Sequence, residues 1–329
     1  MLSRVADSIF WMSRYIERAE NVARFIDVNI HMILDLPVGS TEQWEPLVIT
    51  SGDQERFAAR YATGATKENV IQFLAFDAEN LNSILSCLRT ARENARSVRE
   101  IISSEMWEQV NRLYLMLKAP DSLRQAKESP HEFFTEIKMA SHLFTGLAEA
   151  TMSHGEAWHF SRLGRLLERA DKTTRLLDVK YFILLPRATD VGTPFDDIQW
   201  SAVLRSASAF EMYRKRHGRI APERVADFLL LDREFPRAVH YCLIKAEESL
   251  HAISGTPVGT FCNPAEQRLG QLRSELGYAR VGDVLAVGLH QFLDSLQAKL
   301  NLVGDAIFET FFALRPLGGG MIQRQEVHA

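Results

Sequence analysis

Arg14, Glu17, Arg18 and Asn21 lie near the start of the chain, and their types and spacing would let them act together. At about 100° per residue they fall within one arc of a helix, roughly 100° wide, so two guanidinium groups, a carboxylate and an amide project side by side. Several kinds of chemistry suit such a face. The arginines could hold a carboxylate or phosphate through charge-assisted, often bidentate hydrogen bonds, with the glutamate orienting them. Glu17 could instead serve as a general acid or base in an arginine-lined cleft. A carboxyl beside arginines becomes more acidic, however, which suits an ion pair better than a proton donor at neutral pH. The charges could also pair with one another, as weak pairs on a solvated helix or as a buried, interlocked network.

The set occurs twice. Arg14-Tyr15-Ile16-Glu17-Arg18-Ala19-Glu20 returns as Arg165-Leu166-Leu167-Glu168-Arg169-Ala170-Asp171, and Arg24, Asp27 and Val28 return as Arg175, Asp178 and Val179, at a constant offset of 151 residues. Arg165, Glu168, Arg169 and Lys172 make the second face. Farther on, Glu68, Val70, Phe73, Leu74, Asp77, Cys87 and Leu88 match Glu223, Val225, Phe228, Leu229, Asp232, Cys242 and Leu243 at an offset of 155. Charged positions are kept as faithfully as apolar ones, which indicates an internal duplication and a shared task for the charges. The two faces could meet across a pseudo-twofold axis, or flank a cleft that takes an anionic ligand.

Two other clusters are weaker. Arg89, Arg92, Arg96 and Arg99 share a helical face, with Glu93, Asn94 and Glu100 beside them, and the matching part of the second copy carries Lys245, Glu247 and Glu248 instead. The stripe reads as a solvated face, or as an extension of a positive cleft in one half if it lies beside the first helix. Glu156-Ala157-Trp158-His159 and Glu248-Ser249-Leu250-His251 are both Glu-x-x-His, the unit of di-iron helical bundles. The motif is short and arises often by chance, and the pairs do not occupy equivalent repeat positions. No metal and no cofactor is expected. A Gly-rich phosphate loop, a nucleophile elbow and an HExxH motif are all missing from the sequence.

The elements that must position these residues are helices. Apolar residues recur at helical spacing almost everywhere, strand-like alternation is nearly absent, and the predicted fold is all-α. Met12, Tyr15, Ile16, Ala19, Val22, Ala23, Ile26, Ile30 and Ile33 form one stripe, predicting a helix over residues 3–36 stopped by Pro37 and Gly39. A second long helix through Arg165 and Val179 is predicted to end at Leu185-Pro186, followed by a looser stretch over 187–197. The pairs Gln43-Trp44 and Gln199-Trp200 follow the two loops. Gly64 and Gly218 break helices in comparable regions, and long helices are predicted over 79–103 and 235–254, with Asp77 and Asp232 as their N-caps. Each copy closes on an amphipathic helix, 132–152 and 284–314. The predicted organisation is two related antiparallel bundles packed on each other, residues 1–152 and 153–315, with a flexible tail at 316–329.

With 329 residues, of which 46% are hydrophobic and 24% charged, the chain can bury a large core. Its net charge of -4 gives no general pull toward nucleic acid or an anionic membrane. No apolar run approaches the roughly 20 residues of a membrane span, and Asp7 comes too early for a signal-peptide apolar region. A cytoplasmic location is expected. Cys87, Cys242 and Cys262 lack CxxC spacing and suggest neither a disulfide framework nor a zinc site.

Residues 1–24, 89–115 and 158–178 resemble the bacterial alpha-E family, all-helical proteins named for a Glu-Arg signature, and the resemblance extends over almost the whole chain. It carries the signature onto Glu17-Arg18 and Glu168-Arg169, and matches Arg92, Glu93, Asn94, Arg96, Trp107, Glu108 and Asn111 in the second segment. Residues 153–156 match the family more loosely. Members are typically encoded beside, or fused to, ATP-grasp ligases, often with transglutaminase-like proteins. The resemblance therefore implies an accessory binding or scaffold role in a peptide- or amide-forming system. An enzyme of that system using Glu17 or Glu168 as acid or base, and a purely structural assembly, are the alternatives.

Overall fold

The computed structural model describes residues 1–34, 44–183 and 194–313. The predicted stops at Pro37-Gly39 and Leu185-Pro186, residues 187–193 of the stretch after the second long helix, Gln43 and the tail at 316–329 lie outside the described residues; residues 194–197, expected in that looser stretch, are instead the first turn of a helix that Pro194 opens. Those described form an all-α fold with no strand among them. The first half runs α1 (Ser3–Leu34), α2 (Glu45–Ser51), α3 (Gln54–Arg60), α4 (Lys67–Ile71, extended by a π-turn, Gln72–Phe76), α5 (Ile84–Ser97), α6 (Ser104–Lys118), α7 (Ser122–Glu128) and α8 (Pro130–Thr151). The second runs α9 (Glu156–Ile183), α10 (Pro194–Ser206), α11 (Phe210–His217), α12 (Pro222–Leu231), α13 (Val239–Ser254), α14 (Pro264–Tyr278), α15 (Val281–Val287) and α16 (Leu289–Ile307, extended by a π-turn, Phe308–Phe312).

The two long helices, α1 and α9, form the spine. In the first half the neighbours run antiparallel: Ser8 faces Ser97 and Arg18 faces Asn82 across α1 and the approach to α5, while Asp27 meets His131 and Glu20 meets His142 across α1 and α8. Between the halves α1 and α9 run in the same direction, with Phe10 against Gly164 and Arg14 against Glu168. They approach closely because Gly164 has no side chain. A Cβ built there would lie 2.4 Å from the Phe10 carbonyl oxygen.

One apolar core crosses the midpoint of the chain, joining Ile9, Phe10 and Met106 to Phe160, Leu163 and Leu293, and a second, made only from the first half, gathers Ile26, Phe73, Leu88 and Phe134. Two helix starts differ from expectation. The helices predicted from 79 and 235 begin later, because Asp77 and Asp232 cap turns rather than helices: Asp77 Oδ1 accepts from the Glu79 amide, and Asp232 Oδ1 from the Glu234 and Phe235 amides. Ser83 is the N-cap of α5, its hydroxyl accepting from the Ser86 amide. The helix predicted over 284–314 is broken at Gly288, whose φ of 104° no L side chain adopts easily.

Candidate functional site

The two Glu-Arg phrases meet where α1 and α9 cross. Arg18 donates to Glu168 through a two-point fork, Nε to Oε1 at 2.6 Å and Nη2 to Oε2 at 3.0 Å. Arg169 returns the contact to Glu17, Nε to Oε1 and Nη2 to Oε2 at 2.8 Å each. Shifting one pair by the sequence offset produces the other, as in an isologous interface, where residue i meets j and j meets i. The neighbouring contacts follow the same exchange, since Ser13 and Ser161 share a hydrogen bond of 2.8 Å and the positions one turn away are Phe10 and Gly164.

Around this centre each carboxylate collects more cations. Glu168, fully enclosed, also receives Arg14 Nε at 3.0 Å and has Lys172 Nζ at 3.7 Å. Glu17 also receives Arg237 Nη1 at 3.3 Å, and Asn21 Nδ2 reaches back to its Oε1 at 3.1 Å. Arg237, buried, then forks onto Glu20 at 2.8 Å to both oxygens, where Arg24 pairs as well. The equivalent of Glu20 is Asp171, held by Arg175 at 2.9 Å and Lys172 at 3.2 Å.

Burial opposes ionisation of all four carboxyls, but the guanidinium and ammonium groups overcome it. Arg169 and Arg237 hold Glu17 below the ordinary carboxylate range, Arg18 and Arg14 hold Glu168 well below it, Arg237 and Arg24 do the same for Glu20, and Lys172 and Arg175 lower Asp171. Groups so charged are acceptors, not proton donors, at neutral pH. Arg165 stands apart. It has no hydrogen bond or ion pair among the described residues, and burial together with the neighbouring Arg169 pushes its guanidinium down to about 10.

The remaining predicted residues lie elsewhere. Arg92 turns toward α6, donating to Asn111 Oδ1 at 2.7 Å and lying over the rings of Trp107 and Tyr114. Glu93 pairs with Arg92 and Arg96, and Asn94 is half-buried on the same helix. None of these four makes a hydrogen bond or ion pair with the α1–α9 cluster among the described residues, so the basic stripe does not extend it.

Arg237, Glu20, Arg24, Arg175 and Asp171 belong to the cluster and were not among the predicted site residues. Glu20, Arg24, Asp171 and Arg175 carried a signal, because they recur at the repeat offset. Arg237 did not, because its counterpart is Asn82. The two occupy matching places: Cys87 Sγ donates to the Leu81 carbonyl and Cys242 Sγ to the Pro236 carbonyl, one residue before each. Burial pushes both thiols up to about 12 and leaves them unreactive.

Among the described residues, one group brings imidazole and carboxylate atoms within 4.8 Å of one another, Asp27, His31 and His131. Lys138 already places its ammonium on Asp27, and a cation there opposes a metal ion. The Asp27–His131 contact of 2.7 Å recurs as Asp178–His290, also 2.7 Å, and pins each long helix to a neighbour. The two Glu-x-x-His pairs do not assemble. Glu156 binds the N-terminal amine, Glu248 pairs with Lys245 and Arg162, and His251 faces the Thr256 carbonyl.

The chain is 24% identical over 340 residues to an uncharacterized protein of Mycobacterium bovis and, at the same identity and length, to an uncharacterized protein of Mycobacterium tuberculosis. Each match covers 97% of this chain and 37% of the relative, so the chain spans well under half the length of these curated relatives. No solved structure matches it. Residues 1–312 match a family described as a predicted alpha-helical domain with a conserved ER motif, and the chain belongs to this Alpha-E family.

Proposed function

We propose that this Alpha-E chain is a binding and scaffold partner of an ATP-grasp-type peptide or amide ligase, rather than a catalyst in its own right. In this reading its two halves are copies of one helical unit, locked together by the reciprocal Arg18–Glu168 and Arg169–Glu17 pairs, and the cations around that lock hold an anionic group of the substrate or of the partner. A transglutaminase-like protein is a further candidate partner, and the cytoplasm the expected location.

The observation that carries the reading is the state of the two signature glutamates. Each is enclosed, ionised and occupied by arginine forks, an arrangement suited to holding a shape and unsuited to passing a proton. Around them Arg14 and Arg175 keep guanidinium donors unused among the described residues and reach solvent. The family resemblance supplies the ligase, and the longer curated relatives carry the matching stretch beside other sequence, which fits a unit that works next to a partner.

Affinity purification of the tagged chain from its native cell tests this. An ATP-grasp ligase in the eluate, with ligase turnover raised by the added chain, is expected. Repeated failure to recover a ligase overturns the partnership, and turnover of a candidate peptide by the purified chain alone, lost in Glu17→Gln, would make it an enzyme.

A further inference from the structure

The cations around the crossing are not equally used on its two sides. Beside Glu17 and Glu20, the guanidinium of Arg237 occupies the space at the start of α13 and spends its donors on both carboxylates and Asn21. At the matching place before α5 stands the shorter Asn82, which accepts from Arg18 Nη1 at 2.9 Å and donates to Asp53 at 2.9 Å. In front of Asn82 is a cavity of about 150 Å³ bordered by Arg14, Arg18, Lys172, Arg175 and Asn301. The Lys172 ammonium supplies, from α9, the positive charge that Arg237 supplies on the other side. Charge is thus conserved between the halves while volume is not.

The charge balance of the cavity is positive. Among the described residues Arg14, Arg18, Lys172 and Arg175 pair only with Glu168 and Asp171, which is four positive charges against two negative, while Asp53 behind Asn82 has its own partner in Arg56. Donors are also left over. Among the described residues Nη1 of Arg14 and both Nη atoms of Arg175 make no hydrogen bond, and Lys172 uses its ammonium only on Glu168 and Asp171. The α16 wall is held back by Gly304, whose missing Cβ would sit 4.0 Å from Arg14 Nη1. A site with two surplus charges, two guanidinium groups and an ammonium matches a dianion with three acceptor oxygens better than a singly charged, two-oxygen carboxylate.

We propose that this cavity binds a dianionic phosphoryl group, the terminal phosphate of a phosphate ester or phosphoanhydride. This deepens the anion-binding role proposed above and rests on it. The ligand lies between Arg14, Lys172 and Arg175, with Glu168 below holding Arg14 and Arg18 in place, and no bond is made or broken.

The test is titration of the whole purified chain with inorganic phosphate at pH 8, followed by calorimetry and by ³¹P line width, with acetate as the singly charged comparison. Saturable one-to-one phosphate binding, at least roughly tenfold tighter than acetate, is expected. Lys172→Gln, which removes the ammonium with little change in volume, should weaken phosphate roughly tenfold or more while the circular dichroism spectrum is unchanged. Gly304→Leu, which fills the cavity from α16 without changing its charge, should give the same loss and serves alone if the first variant does not fold. Absence of saturable phosphate binding, equal affinity for acetate, or full binding by either folded variant each overturns the assignment. A ligase that is still recovered with the chain would then show that only the phosphoryl site had failed.

Discussion

Arg18 and Glu168 are 150 residues apart in sequence and meet as a two-point fork of 2.6 and 3.0 Å, with the carboxylate wholly enclosed. Both charges are taken from water, so the pair is worth little as a whole and much to either partner that loses the other. Glu168→Ala strands Arg14 and Arg18 against each other and should cost about 3–5 kcal/mol. Urea unfolding followed by circular dichroism measures it, and a loss below about 1 kcal/mol, the range of an exposed pair, would show that the lock is not buried in solution.

Gly164 fixes how near α1 and α9 come. A methyl group at this position meets the Phe10 carbonyl oxygen at 2.4 Å, and backbone cannot move aside without shifting the forks one turn away. Gly164→Ala should therefore destabilise by about 1–3 kcal/mol, even though alanine is the better helix former. Gly155, with no atom within 4 Å of a built Cβ, is the control: Gly155→Ala should leave the unfolding midpoint unchanged. Equal midpoints for both variants would remove the close approach as the explanation.

The repeat equates Arg14 with Arg165, but the structure uses them differently. Arg14 binds Glu168, whereas Arg165 has no partner among the described residues and is pushed down to about 10 by burial and by Arg169. Arg14→Gln should lower the melting temperature, and Arg165→Gln should leave it unchanged or raise it. Two equal losses would mean that Arg165 finds an acceptor in solution.

Much of this arrangement was legible in the sequence, and what was not has identifiable physical causes. Helical periodicity located α1 and α9, and the recurrence of Glu17-Arg18 as Glu168-Arg169 singled out the residues at their crossing. The direction of that polar face could not be read, because arginine and glutamate opposite an apolar stripe look the same whether they face water or the recurring phrase on the other long helix. Arg237 escaped because a repeat reveals only what is kept, and Asn82 stands in its place. Asp77 was misplaced as a helix cap because the same side chain caps a turn just as well, and the break at Gly288 lies inside an unbroken amphipathic pattern.

The network also sets how stability responds to acid. Glu17, Glu20, Glu168 and Asp171 are all held below the ordinary carboxylate range in the folded chain, and return to about 4 when it unfolds. In acid the unfolded chain therefore binds protons that the folded chain refuses, which favours unfolding. The contribution of these groups is complete above about pH 5 and is lost as the pH falls through 4 toward the depressed folded values. Unfolding free energies at pH 7 and 5 should agree closely, with a steep fall by pH 3.5. Glu168→Gln should start lower at pH 7 and fall less steeply, because one of the depressed groups no longer titrates. Parallel acid profiles for the variant and the parent chain would mean that Glu168 titrates normally, and that its forks to Arg14 and Arg18 do not persist in solution.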